Sequence, residues 1–178
     1  TGELPGVVYE TAVYEAYGPG GVALMIEVLT DNKNRTSAEI RNILSKKSGN
    51  FAGAGAVNWM FTMKGYFLIE KSQAKEDELM NIALDAGAED MKSDEKNYEI
   101  FCAPTNFEKV KQAIEAKGIK AQDAQVTMIP SSTIKVAGNE AKQLLSLIDT
   151  LEDHDDVQQV YANFDIPDEL MDRIAQEG

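Results

Sequence analysis

Residues 14–50 read YEAYGPGGVALMIEVLTDNKNRTSAEIRNILSKKSGN, and this stretch decides the fold. In Tyr17-Gly18-Pro19-Gly20-Gly21, proline presets the first central position of a turn and Gly20 supplies the positive φ that a type II turn requires next. The flanks therefore pair as a hairpin. Tyr9, Val13 and Tyr17 mark one strand; Val22 to Leu29 is an apolar run broken only by Glu27, long enough for a central strand. Thr36 and Glu39 have the spacing of a capping box, and Ile40, Ile43 and Leu44 give the apolar stripe of a helix over 37–47 that Gly49 ends.

Downstream the pattern is strand (66–70), helix (75–86), strand (88–91), strand (98–103), helix (106–116) and strand (124–129). This βαββαβ order is the ferredoxin-like plan. After Pro130 come a short strand near Ile134, a helix with Leu144, Leu145, Ile148 and Leu151 inward, a strand over 157–162 and an amphipathic tail helix over 166–175. The strands after Pro130 are too few to stand alone, so they are expected to complete the sheet begun by residues 8–64. The fold class is α+β with two α/β domains. A ferredoxin-like domain, residues 65–129, is inserted into a discontinuous domain made of 1–64 and 130–178.

The segments YGPGG at 17–21, TDNKNRT at 30–36 followed by AEIR, SGN at 48–50 leading to Val57, and LIDTLEDHDDVQQVYANFDI at 147–166 occur in one order. In these four motifs the chain resembles the YebC/PmpR family, which includes the mitochondrial translational activator of cytochrome c oxidase subunit I. The resemblance spans nearly the whole chain. It implies a regulator of gene expression, either a DNA-binding transcriptional regulator or a ribosome-associated factor that contacts ribosomal RNA or tRNA. It also implies a basic helical N-terminal domain ahead of Thr1, absent from this sequence, and supports the discontinuous domain plan.

The net charge of −13 over 178 residues limits how nucleic acid could be bound. Affinity for a polyphosphate rests on neutralising its backbone with Lys and Arg, so an acidic chain is repelled. Cations and carboxylates balance in residues 1–64, whereas 130–178 holds three Lys/Arg against eleven Asp/Glu. A nucleic-acid contact is therefore expected on the first third, with most of the attraction supplied by the N-terminal domain that the resemblance implies. The sequence has no signal peptide pattern and no apolar run near the length of a membrane span, so a cytoplasmic protein without a membrane partner is expected. Cys102 falls in an alternating strand and has no second cysteine to pair with, which favours a buried structural thiol.

Lys33, Arg35, Arg41, Lys46 and Lys47 form the concentrated basic set. Lys46 and Lys47 fall in the last turn of the expected helix, where cations also complement the macrodipole. Lys33 and Arg35 stand with Asn32, Asn34 and Thr36 in an expected loop at a helix N-terminus. Amides, backbone NH groups and cations there suit a phosphate, and the same residues suit Asx turns that rigidify a loop. Asn50 belongs to the SGN segment, a helix length from that loop, so the two need not form one patch and could mark two ends of a longer contact surface. Gly18, Gly20 and Gly21 serve turn geometry or close approach of backbone to a partner. Trp59, Phe61 and Tyr66 favour core packing over a base-stacking platform.

Chemistry finds little support elsewhere. Gly53-Ala54-Gly55 begins like a dinucleotide fingerprint, but its third glycine position is Asn58 and it follows a helix. Glu152-Asp153-His154-Asp155-Asp156 lacks the glycine and distal glutamate of an EF-hand loop, and a single His with adjacent carboxylates cannot build a zinc site locally; a solvated turn is expected. No catalytic residue, metal or cofactor is expected, and an enzyme ranks behind a nucleic-acid-contacting regulator and a protein-interaction or ligand-sensing module.

Overall fold

The computed structural model describes residues 6–166. Two compact units divide the chain, Thr1–Phe61 with Pro130–Gly178, and Thr62–Ile129. Strands β1 (Glu10–Gly18) and β2 (Val22–Thr30) form an antiparallel hairpin in continuous register, from Glu10 opposite Thr30 to Gly18 opposite Val22. Gly20 in the turn has φ 80°, and a Cβ on it would lie 2.8 Å from Val136 Cγ1. Both conformation and space demand glycine there.

Helix α1 (Lys33–Lys46) follows, four residues earlier than the Thr36–Glu39 spacing predicts. Asn32 is the cap, its side-chain oxygen accepting from Arg35 N at 3.0 Å. Asn is as good a cap as Thr, and here it wins because Thr36 is drawn into the interior, where it is fully buried. At the other end Gly49 N donates to Leu44 O at 2.7 Å, the bond of a Schellman turn, with Ser48 in the left-handed position at φ 66°. Gly49 contributes space rather than handedness, since a Cβ would meet Tyr17 O at 2.9 Å. The short strand β3 (Asn50–Phe51) then pairs with the end of β1.

Residues 53–60 are an irregular segment held by one carboxylate. Glu15 accepts from the backbone N–H groups of Gly55, Val57 and Asn58 at 2.6–2.9 Å. Trp59 sits in a short 3₁₀ turn here and is 69% exposed, contrary to the core position its spacing from Phe61 suggests. The tight turn interrupts the expected alternation, turning Phe61 inward and Trp59 outward.

The second unit is built from β4 (Phe61–Glu70), α2 (Glu76–Asp85), β5 (Ala88–Ser93), β6 (Asn97–Cys102), α3 (Phe107–Ala116) and β7 (Asp123–Pro130). Its sheet order β5-β6-β4-β7 places the first and third strands at the centre, the ferredoxin-like arrangement. Phe67, Ile69, Ile100 and Cys102 of the central strands pack with Leu79, Ala83, Val110 and Ile114 of the helices. Cys102 lies opposite Gly65, whose missing side chain leaves room for its sulfur and for Phe107. Burial pushes the Cys102 thiol up, which suits an unreactive core residue.

The chain returns through β8 (Ile134–Lys135), α4 (Gly138–Glu152), β9 (Val157–Ala162) and β10 (Phe164–Asp165). β9 pairs antiparallel with β2, giving the order β3-β1-β2-β9, while β8 and β10 form a separate parallel pair. Val22, Leu24, Ile26 and Val28 of β2 face Ile40 and Leu44 of α1 and Leu144, Leu147 and Leu151 of α4. Leu145 and Ile148 flank this stripe, partly buried, with Leu147 taking the inward place. Asn163 joins the pieces: it is 2% exposed, and its side-chain oxygen accepts from Ala23 N at 2.8 Å. The tail helix expected over 166–175 lies outside the described residues beyond Ile166, which is itself buried in this core.

Candidate nucleic-acid interface

The N-terminal end of α1 is organised by a hydrogen-bond relay. Asp156 Oδ2 lies 2.7 Å from Thr36 Oγ1 and 2.8 Å from Arg35 Nη2. An ionised carboxylate only accepts, so Thr36 donates to it. Thr36 can then only accept from Thr30 Oγ1 at 2.7 Å, and Thr30 accepts from Asn32 N at 3.0 Å. Thr30 and Thr36 are both fully buried. The TDNKNRT run thus ties β2, α1 and the turn before β9 together.

The two cations in this run are ion-paired. Arg35 reaches Asp156, Asp31 at 3.2 Å and Glu39 at 3.7 Å; Lys33 reaches Glu10 at 3.5 Å. The hydrogen bond to Asp156 is the main reason the guanidinium is held more firmly protonated than usual. Desolvation would raise the Asp156 carboxyl, but hydrogen bonds from Thr36 and Arg35, with the charge of Arg35, hold it below the usual carboxylate range. Asn34 accepts from Ser37 Oγ at 3.1 Å.

The acidic turn is more ordered than the solvated loop that its composition suggests. Asp156 N donates to His154 Nδ1 at 3.1 Å, so the ring proton sits on Nε2 and points at Glu39. Glu39, His154 and Asp156 offer ligand atoms within 4.8 Å of one another. Arg35 already supplies positive charge to two of them.

The C-terminal end of α1 carries a second set of cations. A cavity of about 290 Å³ is lined by Lys46, Lys47, Ser48, Lys142, Gln143 and Ser146. Lys47 Nζ donates to Ser146 Oγ at 2.9 Å, while Lys46 makes no ion pair among the described residues. The C-terminal end of α1, the turn after it and α4 thus bring three lysines and three polar side chains to one concavity, a donor set suited to phosphate oxygens. Arg41 lies over the Phe51 ring, 5.0 Å from its centroid, and Asn50 is exposed beside it in β3. Gly20 and Gly21 are exposed, but Gly18 is buried under Leu144 and Leu147.

Residues 9–164 match the family described as Transcrip_reg, TACO1/YebC second and third domain. The chain belongs to the TACO1/YebC family. It is 51% identical over 176 residues to a "Probable transcriptional regulatory protein" of Dictyoglomus turgidum, covering 98% of this chain and 71% of the relative. A protein of the same description from Natranaerobius thermophilus is 53% identical over 175 residues, covering 97% and 70%. The crystal structure of a conserved hypothetical protein from Aquifex aeolicus superposes with a TM-score of 0.77 at 40% identity, covering 96% of this chain and 71% of that one.

Within this TACO1/YebC chain the site residues fall at the two ends of α1. Asn32, Lys33, Asn34 and Arg35 cluster at one, Lys46 and Lys47 at the other, a helix of about 21 Å apart. Lys142, Gln143 and Ser146 were not legible as partners, since they lie almost a hundred residues away on α4. The available signal was a lysine beside the apolar stripe of that helix, and it acquires meaning only once α4 packs against α1.

Proposed function

We propose that this chain is a regulator of gene expression that holds the phosphate backbone of a nucleic acid at the cavity formed by Lys46, Lys47 and Lys142. The observation that carries this reading is the convergence of three lysines in a chain whose net charge is −13. Arg41 and Asn50, in the same unit, extend the contact; Asn32, Lys33, Asn34 and Arg35 mark its far edge. The names of the relatives support regulation, and the phosphodiester is the chemistry shared by duplex DNA and ribosomal RNA. No membrane partner is part of this proposal, and none of the described helices is long and apolar enough to cross a membrane.

The test is equilibrium binding of the 178-residue chain to duplex DNA and to ribosomes across a salt series, with Lys46→Glu, Lys47→Glu, Lys142→Glu as the variant. Binding is expected to be weak, with Kd in the micromolar range or above, because the whole chain repels phosphate. If all three lysines meet phosphates, the salt slope on duplex DNA falls by about 2.7 in the triple variant, and by about 2.1 on single strands. The substrate that shows the loss identifies the nucleic acid. An unchanged affinity and slope on both would refute the reading.

A further inference from the structure

The ferredoxin-like unit contains a second cavity that the nucleic-acid reading does not use. It measures about 350 Å³ and lies between the C-terminal half of α3, the return loop after it and the start of β7. Its floor is apolar: Phe67, Ile114 and Ile119 are between 1% and 5% exposed. Ala121 and Ala124 stand where larger side chains would fill the space. The loop cannot simply collapse inward, because Gln122 N donates to Leu68 O at 2.7 Å and Lys120 N to Gln73 Oε1 at 3.0 Å. Gln122 Nε2 adds a bond to Glu70 at 2.6 Å.

The rim carries Lys111 and Lys120 together with Glu115. Neither ammonium group makes an ion pair among the described residues, so the mouth has a net positive charge above an apolar floor. We propose that this cavity binds a small amphipathic anion, a free carboxylate with a short unbranched apolar chain. The chain lies along Phe67, Ile114 and Ile119, and the carboxylate meets Lys111 and Lys120. The volume sits at the small end of ligand pockets, which limits the occupant to a short chain. Glu115 at the same rim repels a second negative charge, which favours a monoanion over a phosphate ester.

The experiment uses the intact 178-residue chain, titrated with octanoate, hexanoate, octylamine and octanol while amide chemical shifts are recorded. Octanoate is expected to bind saturably, with shifts centred on residues 111–124 and Phe67. Hexanoate should bind more weakly by about fifteenfold, since each methylene brings about fourfold. A Lys111→Glu, Lys120→Glu variant, altered only at the rim, should lose at least tenfold in affinity for octanoate. Ala124→Leu should block binding by filling the floor. Absence of saturable shifts, equal binding of octylamine, or unchanged octanoate affinity in the double lysine variant would each overturn the proposal. Because the lysines near residue 46 are untouched, failure here leaves the nucleic-acid reading standing, and the converse holds.

Discussion

Replacing Thr36 by valine probes the relay that joins α1 to the turn before β9. The change keeps volume and β-branching and removes one hydroxyl. Thr36 is fully buried and donates to Asp156 at 2.7 Å. Loss of a hydrogen bond to an ionised acceptor removes about 1.5–3 kcal/mol, and the buried Thr30 hydroxyl left without its acceptor adds about 1–3 kcal/mol. The two effects do not add in full, because they belong to one network and Asp156 keeps Arg35. A net loss of about 3 kcal/mol follows, which for a chain of this length lowers the thermal midpoint by about 6–12 °C.

The pH dependence supplies an independent check. The Asp156 carboxyl is depressed in the folded protein, so its contribution is complete above the ordinary carboxylate range. That contribution is lost as pH falls from this range through the depressed folded value. Without Thr36 the depression is smaller, and the stability gap between parent and variant should narrow through the same window. Thermal unfolding by circular dichroism at several pH values measures the gap, and hydrogen exchange over residues 30–47 and 153–157 locates it. A midpoint within about 2 °C of the parent at neutral pH, or unchanged exchange in both segments, would refute the relay; the scale is that of about 0.5–1 kcal/mol.

Three further changes test other joints. Glu15→Gln should release residues 55–58, at about 2 kcal/mol, because a neutral amide oxygen replaces an anion that accepts three N–H bonds. Desolvation opposes that anion but the three bonds outweigh it, so parent stability should decline as pH falls through the depressed Glu15 value, and faster exchange at 55–60 in the variant would be the sign. Ser48→Gly relieves a left-handed non-glycine residue and should stabilise by about 0.5–1 kcal/mol, read from the urea midpoint; a loss of stability would contradict the Schellman assignment. Gly20→Ala should destabilise by at least about 1–2 kcal/mol from its positive φ alone, with the close Val136 contact adding to it, and a neutral result in urea unfolding would contradict the packing of the turn under α4.

The elements that were legible in the sequence are those whose periodicity is unbroken. β2 reads as an apolar run because it is buried on both faces, Ala23 and Met25 as well as Leu24 and Ile26. The βαββαβ order was legible because each helix of that unit carries its own apolar stripe. The start of α1 was not, since Asn32 and Thr36 are both competent caps and only the tertiary partner Asp156 decides between them. Trp59 misled for a similar reason: its exposure depends on a turn whose geometry is set by Glu15, forty-odd residues upstream. The lysine cavity required knowledge of which helices touch, which periodicity does not contain.

The charges on α1 explain why the more conspicuous motif is the weaker candidate for phosphate. At its N-terminal end Arg35 and Lys33 are matched by Asp31, Glu39, Asp156 and Glu10, and Asp153 and Asp155 line a cavity there beside Arg35. Exposed pairs of this kind add little stability, but they leave an approaching phosphate facing carboxylates as well as cations. At the C-terminal end the helix dipole disfavours an anion by about half a charge, while Lys46, Lys47 and Lys142 line the cavity there. Lys142 also stands in the second turn of α4, near that helix's positive end. We therefore propose the phosphate contact where the sequence is less distinctive, while the distinctive TDNKNRT run builds the relay.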